Sequence, residues 1–448
     1  MKPSNLENTW NSLKLENAVY DSVKKYFDSV SIKDIRPNSW KVPIGGGFYG
    51  HEEVIEVVKC YLNGSLSIQK PVIDFENKFS DYIGTNYGIA TNSGTSANIL
   101  ALNALIDAGY LELGDEIVVP ATTFISVATP ILQLGLIPVY VDVEVDTLNI
   151  DLNELERVVN DDDRNIKGVM IVHTLGNPVD MNRVNKIIGN TDVQIIEDCC
   201  EAHGAECDGK KIGSYGIMST WSFYVAHHMT TAEGGMVLTD SKELDIILRE
   251  LREFGRDKEY SGERYGMNRG NLKDFDERYT FHRVGWNFRM ADAPASFGIQ
   301  QLKKLDDMNK IRLKHAEYLI ENLSQFNQYL QIPSKNTEYN VNTFYSFPII
   351  IKKNAKIQRK NFVRYLESQG IETRAIMCGT LPDQPSLWDK IGIEYGDLNQ
   401  SRYIKDNGFF IGCHPCLEED DLKYVVETIT NYFKQQGDIL QWMKIKPY

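Results

Sequence analysis

Lys167–Cys200, KGVMIVHTLGNPVDMNRVNKIIGNTDVQIIEDCC, carries the pattern that decides the fold. An apolar, β-branched run (KGVMIVHT) is followed by a helix-like stretch around VNKIIGN and then by a second apolar run, VQIIEDCC. Short apolar runs bounded by Gly, Pro and Asn read as strands buried on both faces. Two such strands joined by a helix make a parallel pair, because a parallel connection must cross over the sheet. The second run ends in Ile195-Ile-Glu-Asp198. In open α/β sheets ligands bind beyond such carboxyl ends. Asp198 can pair there with a protonated heterocycle nitrogen, or simply cap the next turn.

The same alternation extends in both directions. HEEVIEVVKCYL, VIDFENKFSDYI, TSANILALNALIDAG, ISVATPILQLG and LNELERVVN read as helices. EIVVP, IPVYVDV, WSFY and GGMVLTD read as strands. The expected fold is α/β: a large, mostly parallel sheet domain with helices on both faces, followed by a smaller α+β C-terminal domain. The expected boundaries are an N-terminal helical extension over 1–40, a large cofactor-binding domain over 41–300 and a small domain over 301–448. A long helix from Ala291 to about Leu323 links the last two. Residues 255–280 are polar, glycine-bearing and aromatic, and read as a long functional loop.

Composition narrows the function. The chain has 448 residues and a net charge of −14, which argues against nucleic-acid and anionic-membrane partners. The N-terminus lacks a signal-like apolar segment, and no apolar run reaches the length of a membrane span, so a cytoplasmic protein is expected. Seven cysteines in a chain of this length do not form a disulfide framework. Cys199-Cys200 read as buried thiols. Cys413-His-Pro-Cys416 is an isolated C-x-x-C without a second pair, which is weak support for zinc or redox chemistry. No metal is expected. His227-His228 are adjacent, so their rings diverge, and they lack metal-ligand spacing.

Asn92-Ser-Gly-Thr-Ser96 follows YGIAT and opens a helix. Backbone N–H groups at a helix N-terminus favour a phosphate, although the same residues can serve only as a cap. Gly45-Gly-Gly-Phe-Tyr-Gly50 matches G-x-G-x-x-G, but no buried strand precedes it. A substrate loop carrying Phe48 and Tyr49 is the better reading.

TNSGTSANILAL, GDEIVVPATTF, VYVDVE, HTLGNP, IIEDCCEAHGA, SFYVAHHMTTAEGGM and GWNFRMADAPASFGIQQL occur in this order. Together they resemble the sugar aminotransferase family, over roughly residues 35–435. The resemblance implies the type I fold of pyridoxal-phosphate-dependent transferases. Within that family, Ser222–Gly235 (SFYVAHHMTTAEGG) resembles the nucleotide-sugar 3-dehydratase branch, in which histidine replaces the Schiff-base lysine. The resemblance implies that Gly94, Thr95 and Ser222 hold the cofactor phosphate, that Phe124 stacks on its ring and that Asp198 pairs with the ring nitrogen. His227 occupies the lysine position as catalytic base. Asn287 would reach the phosphate of a neighbouring subunit, which implies a homodimer with shared active sites.

His203 is a candidate contact for the cofactor ring or a neighbouring oxygen. His228 is weighed as a substrate contact, as support for His227 or as a structural residue. Glu233 is expected to brace the following glycine turn. Arg374, Phe48, Tyr49 and the 255–280 loop are candidate substrate contacts.

The implied cofactor is pyridoxamine 5′-phosphate, alternating with pyridoxal 5′-phosphate. The implied partners are a nucleotide-diphosphate 4-keto-6-deoxy sugar and L-glutamate, in deoxysugar biosynthesis of the lipopolysaccharide O-antigen kind. The cluster-bearing members of the branch need four cysteines downstream of the base. From Lys242 to Ile320 there are none, so no iron–sulfur cluster is expected. An enzyme that needs an external reductase and a non-catalytic cofactor-binding protein are the alternatives. Lys210 and Lys242 lie outside the aligned position, which disfavours ordinary transamination.

Overall fold

The computed structural model describes residues 3–31, 39–256 and 279–445 of the chain. The expected loop over 255–280 therefore lies almost wholly outside the described residues.

The alternation read from the sequence is the architecture. β1 (Tyr87–Thr91), β2 (Glu116–Pro120), β3 (Ile137–Val141), β4 (Ile166–Val172), β5 (Gln194–Asp198), β6 (Met218–Ser222) and β7 (Gly235–Thr239) build one sheet. Its order is β1-β7-β6-β5-β4-β2-β3, with the strand Ile393–Tyr395 added beside β3. Every neighbouring pair is parallel except those of β7, which runs antiparallel to β1 and to β6. The central strands are buried on both faces, which is why they read as continuous apolar runs and not as alternating ones.

The connecting helices are α1 (Pro3–Ser29), α2 (His51–Leu62), α3 (Lys70–Ile83), α4 (Gly94–Asp107), α5 (Ile125–Gln133), α6 (Leu152–Val159), α7 (Met181–Ile188) and α8 (Lys242–Arg252). They start where the local chemistry allows. The side chains of Ser93, Asp151, Asp180 and Ser241 accept backbone N–H groups at the starts of α4, α6, α7 and α8. One face of the sheet packs on Phe75, Phe79, Leu155 and Val184 from α3, α6 and α7. The other packs on Leu100, Val127 and Leu248 from α4, α5 and α8.

The long helix, α9 (Asp292–Leu323), runs unbroken from the large unit into the small one. The small sheet has the strands Leu330–Gln331, Phe347–Ile351, Gly408–Ile411 and Thr373–Ala375, in that order and all antiparallel. A single cut near residue 300 does not describe how the two units are built. Val42 bridges Ile371 and joins the small unit's core, while Ile393–Tyr395 returns to the edge of the large sheet. Among the described residues no helix is long and apolar enough to cross a membrane.

One buried ion cluster locks β1, from which the site's first loop departs. Glu76, on α3, accepts from Arg252 Nη1 (2.6 Å) and Arg249 Nη1 (2.8 Å) of α8 and from the backbone N–H of Ala90 (2.9 Å). Its side chain is 2% exposed. Removing one partner of such a group strands buried charge at a cost of about 3–5 kcal/mol. Glu76→Ala is therefore expected to lower unfolding stability by that amount in urea titrations. A loss under about 1 kcal/mol would contradict the role given to this cluster.

Candidate active site

A cavity of ≈ 420 Å³ opens at the carboxyl ends of the parallel strands. Gly94, Thr95, Phe124, Asp198, Ser222 and His227, all singled out in the sequence, line it together. They come from four strand ends and the segments that follow them, so the sheet register sets their spacing.

One end is built to take an anion. Ser96 N–H bonds to Ser93 Oγ and Ala97 N–H to Ser93 O. The N–H groups of Gly94 and Thr95 in the first turn of α4 are then left facing the cavity, where the helix dipole adds to their pull. Glycine is needed here. A Cβ on Gly94 would lie 2.7 Å from Ser222 Cβ, and one on Gly235 would lie 2.3 Å from Ser93 O. Gly94 thus lets the Ser222 side chain close on the same turn, and Gly235 lets β7 approach Ser93.

The other polar group is Asp198, held by Asn98 Nδ2 (3.0 Å) and by the N–H of Cys200 (3.1 Å). Asn98 also donates to Ser126 O at 3.1 Å. Sequence reasoning missed Asn98, although its place one turn into α4 was a usable signal. The preceding residue, Glu197, faces the opposite side of the strand and is fully buried. Its carboxylate accepts from Gly213 N (2.7 Å), Tyr215 N (2.7 Å) and Gly216 N (2.8 Å), and it meets His173 Nε2 at 3.2 Å. His173 Nδ1 accepts from Val179 N, so Nε2 carries the proton and donates. Burial opposes the charge of Glu197, but these donors outweigh it and lower its pKa. His173, Glu197 and Cys199 form the one cluster of three potential metal ligands among the described residues. The hydrogen bonds just given account for its histidine and carboxylate.

His227 follows β6 in a tight loop, with its N–H bonded to Tyr224 O. Its ring lies 5.3 Å from that of Tyr345 and 6.0 Å from that of His203. Burial, and then the cation of Arg312, hold its pKa down to about 3. The imidazole is therefore a free base at neutral pH. Among the described residues lining the cavity there is no lysine.

Other candidates stand elsewhere. His203 is fully buried outside the cavity wall, among Phe79, Trp221 and Phe223, with neither ring nitrogen hydrogen-bonded. It stands behind His227, 6.0 Å from ring to ring, and is not among the residues that line the cavity. His228 is buried too, and its Nε2 meets Thr343 O at 3.2 Å, which is the structural reading. Arg374 pairs with Glu372 and is exposed. Phe48 packs on the core, while Tyr49 lines a separate apolar groove beside Phe297. Asn287 is exposed, accepting from Arg289 Nε, near Val284 and Trp286. The turn before Gly234 is braced by Thr231 Oγ1 on Glu233 O, while Glu233 itself lines the cavity.

Two lining residues went unnoticed in the sequence, Glu201 and Tyr345. Among the described residues Glu201 accepts from Leu175 N alone (2.9 Å), and burial, with Asp198 nearby, raises its pKa to about 8. It is a mostly neutral carboxyl at pH 7.

The donor set fits a ligand with a phosphate at one end, a basic ring nitrogen at the other and a flat body against Phe124. A mostly parallel sheet with one antiparallel strand and a small C-terminal unit is the fold of pyridoxal-phosphate-dependent aminotransferases, and this chain has it. Residues 49–430 match the DegT/DnrJ/EryC1/StrS aminotransferase family, and the chain belongs to it. The lipopolysaccharide biosynthesis protein RfbH of Salmonella typhimurium is 34% identical, over 91% of this chain and 95% of that protein. GDP-4-keto-6-deoxy-D-mannose 3-dehydratase of Escherichia coli O55:H7 is 32% identical, over 80% of this chain and 91% of the relative. A crystal structure of GDP-4-keto-6-deoxymannose-3-dehydratase with a trapped PLP–glutamate geminal diamine superposes with a TM-score of 0.80. It is 30% identical, covering 87% of this chain and 100% of that one.

Because Glu201 binds a proton in the folded state that it lacks in the unfolded chain between about pH 4.3 and 8, it costs stability as pH rises through that window. Glu201→Gln, a neutral isostere, is expected to raise the melting temperature at pH 8 and to leave it unchanged at pH 4.5. Equal shifts at both pH values would contradict a neutral Glu201.

Proposed function

We propose that this protein is a nucleotide-sugar 3-dehydratase. It would remove the C3 hydroxyl of a nucleotide-diphosphate-linked 4-keto-6-deoxyhexose, with glutamate as amino donor and two-electron reductant. The observation that supports the reading is a cavity that joins an anion turn, the Asp198 carboxylate and the neutral His227, with no lysine among the described residues lining it. A decayed site would be expected to lose its anion turn and acid as well, and both are present here.

When bound, pyridoxamine phosphate supplies the amine for the C4 ketone and the conjugated ring that takes up electrons. The protein does the rest. Gly94, Thr95 and Ser222 fix the phosphate, which matters more when no covalent link to lysine holds the group. Asp198, kept in place by Asn98, favours a protonated ring nitrogen. His227 accepts a carbon-bound proton as a free base and returns it to the departing C3 oxygen. Imidazole on a short, packed stem cannot swing to deliver that proton to the sugar's C4, so elimination prevails over amination. Glu201 offers a neutral donor on the cavity wall.

The balance closes without an outside reductant. Keto sugar and glutamate give 3-deoxy-4-keto sugar, 2-oxoglutarate and ammonia. This is the cluster-free route, and it rests on the absence of cysteine between Lys242 and Ile320. Two chains would form a homodimer with shared active sites, Asn287 completing the partner's phosphate site. The exposed Phe124, Val284 and Trp286 support that arrangement. The family also contains aminotransferases, so amination is the competing outcome.

The test is incubation of the protein, pyridoxamine phosphate and glutamate with CDP-, GDP- and dTDP-linked 4-keto-6-deoxy sugars, without reductase. A 3-deoxy product with one of them is expected, and His227→Asn should lose at least a hundredfold in kcat at nearly unchanged cofactor affinity. An amino sugar from the wild-type protein, or full dehydration by His227→Lys, would refute the proposal.

A further inference from the structure

Arg312 lies on α9, outside the cavity wall, and its side chain is 1% exposed. Among the described residues no carboxylate is paired with it. Its Nη1 donates to Tyr345 O (2.9 Å) and Phe344 O (3.3 Å), and its Nη2 donates to His227 O (3.4 Å). Among the described residues its Nε has no hydrogen-bond partner, and the Cys413 thiol lies beside the guanidinium. Leaving a cation buried without an anion is expensive, and a methionine or leucine would fill the same space at no such cost.

The carbonyls it binds belong to two segments that meet nowhere in the sequence. One is the loop after β6 that carries His227. The other is Thr343–Tyr345, which also receives His228 Nε2 through Thr343 O. That second segment is in turn bonded to the HTLGNP turn, with Tyr345 N on Leu175 O and Thr343 N on Gly176 O.

We propose that Arg312 is a positioning residue for the reaction. Its guanidinium clamps the His227 loop to the Thr343–Tyr345 segment and sets a fixed positive charge beside that loop. The inference rests on the reading of His227 as the base.

The surroundings of His227 support this. His203 and His228 face it from the other elements, and burial and neighbouring charge lower both of their pKa values, so neither adds a cation. Tyr345, pushed well above its ordinary pKa by burial, is a neutral phenol. Tyr224 completes the ring contacts, and Asp198, Glu201 and Glu233 share the cavity wall. Arg312 is thus the one fixed cation in contact with this loop among the described residues. A positive charge placed there opposes a second one on imidazole.

The experiment uses full-length protein with 13C-labelled histidine, titrated by NMR from pH 8 to 5, with and without pyridoxamine phosphate. The His227 signal is assigned by its loss in His227→Asn. In the wild type it is expected to stay neutral to pH 5. In Arg312→Met it should begin to protonate inside that range, its midpoint rising by at least one pH unit. Arg312→Lys keeps the charge but loses the fork. Its His227 should stay neutral while kcat falls at least tenfold at unchanged KM.

A folded Arg312→Met with a wild-type His227 titration overturns the charge role. Arg312→Lys with wild-type kcat overturns the clamp, and this variant decides the matter if the methionine variant does not fold. The titration needs no sugar, so it stands or falls separately from the proposed reaction.

Discussion

Glu197 is the interaction on which the site depends. It is a fully buried carboxylate that gathers three backbone N–H groups from the 213–216 turn and the imidazole of His173 at the end of β4. With these bonds made, β5 cannot slip against β4 or β6. A slip of one residue would turn every side chain to the other face. Because Glu197 is fixed below the sheet, Asp198 must project above it, level with Thr220 in β6. Ser222 then stands two residues further along the same strand, and the loop that carries His227 begins there. The positions of the carboxylate, the hydroxyl and the imidazole thus follow from one register.

The second constraint is the treatment of histidine. His203, His227 and His228 are packed among aromatic rings and kept neutral by burial, with Arg312 adding its charge. A lysine in this setting would be pressed toward its neutral form, useful for a covalent link to an aldehyde. A histidine in the same setting is a base that makes no such link. At the start of α4, Gly94 and Gly235 permit backbone approaches that any side chain would block.

Much of this was legible in the sequence. The strand-helix alternation around Lys167–Cys200 gave the sheet, and six residues picked from separate motifs meet in one cavity: Gly94, Thr95, Phe124, Asp198, Ser222 and His227. What escaped notice depends on tertiary contacts. Glu201 sits three residues after Asp198 and looks like an ordinary polar residue until burial raises its pKa. Tyr345 and Arg312 arrive from distant segments, and no local pattern marks them. The turn after β5 places His203 behind His227, among Phe79, Trp221 and Phe223, which nothing local in the sequence marks. The return of Ile393–Tyr395 to the large sheet was hidden because a three-residue edge strand leaves almost no periodicity.

We propose that a neutral, packed histidine in place of the flexible lysine turns transamination into dehydration. The most direct measurement follows nitrogen from 15N-labelled glutamate through turnover with the reacting keto sugar. The account predicts one equivalent of 15N-ammonium for each 3-deoxy sugar formed and no label in the sugar. 15N retained at C4 of an amino sugar would contradict it.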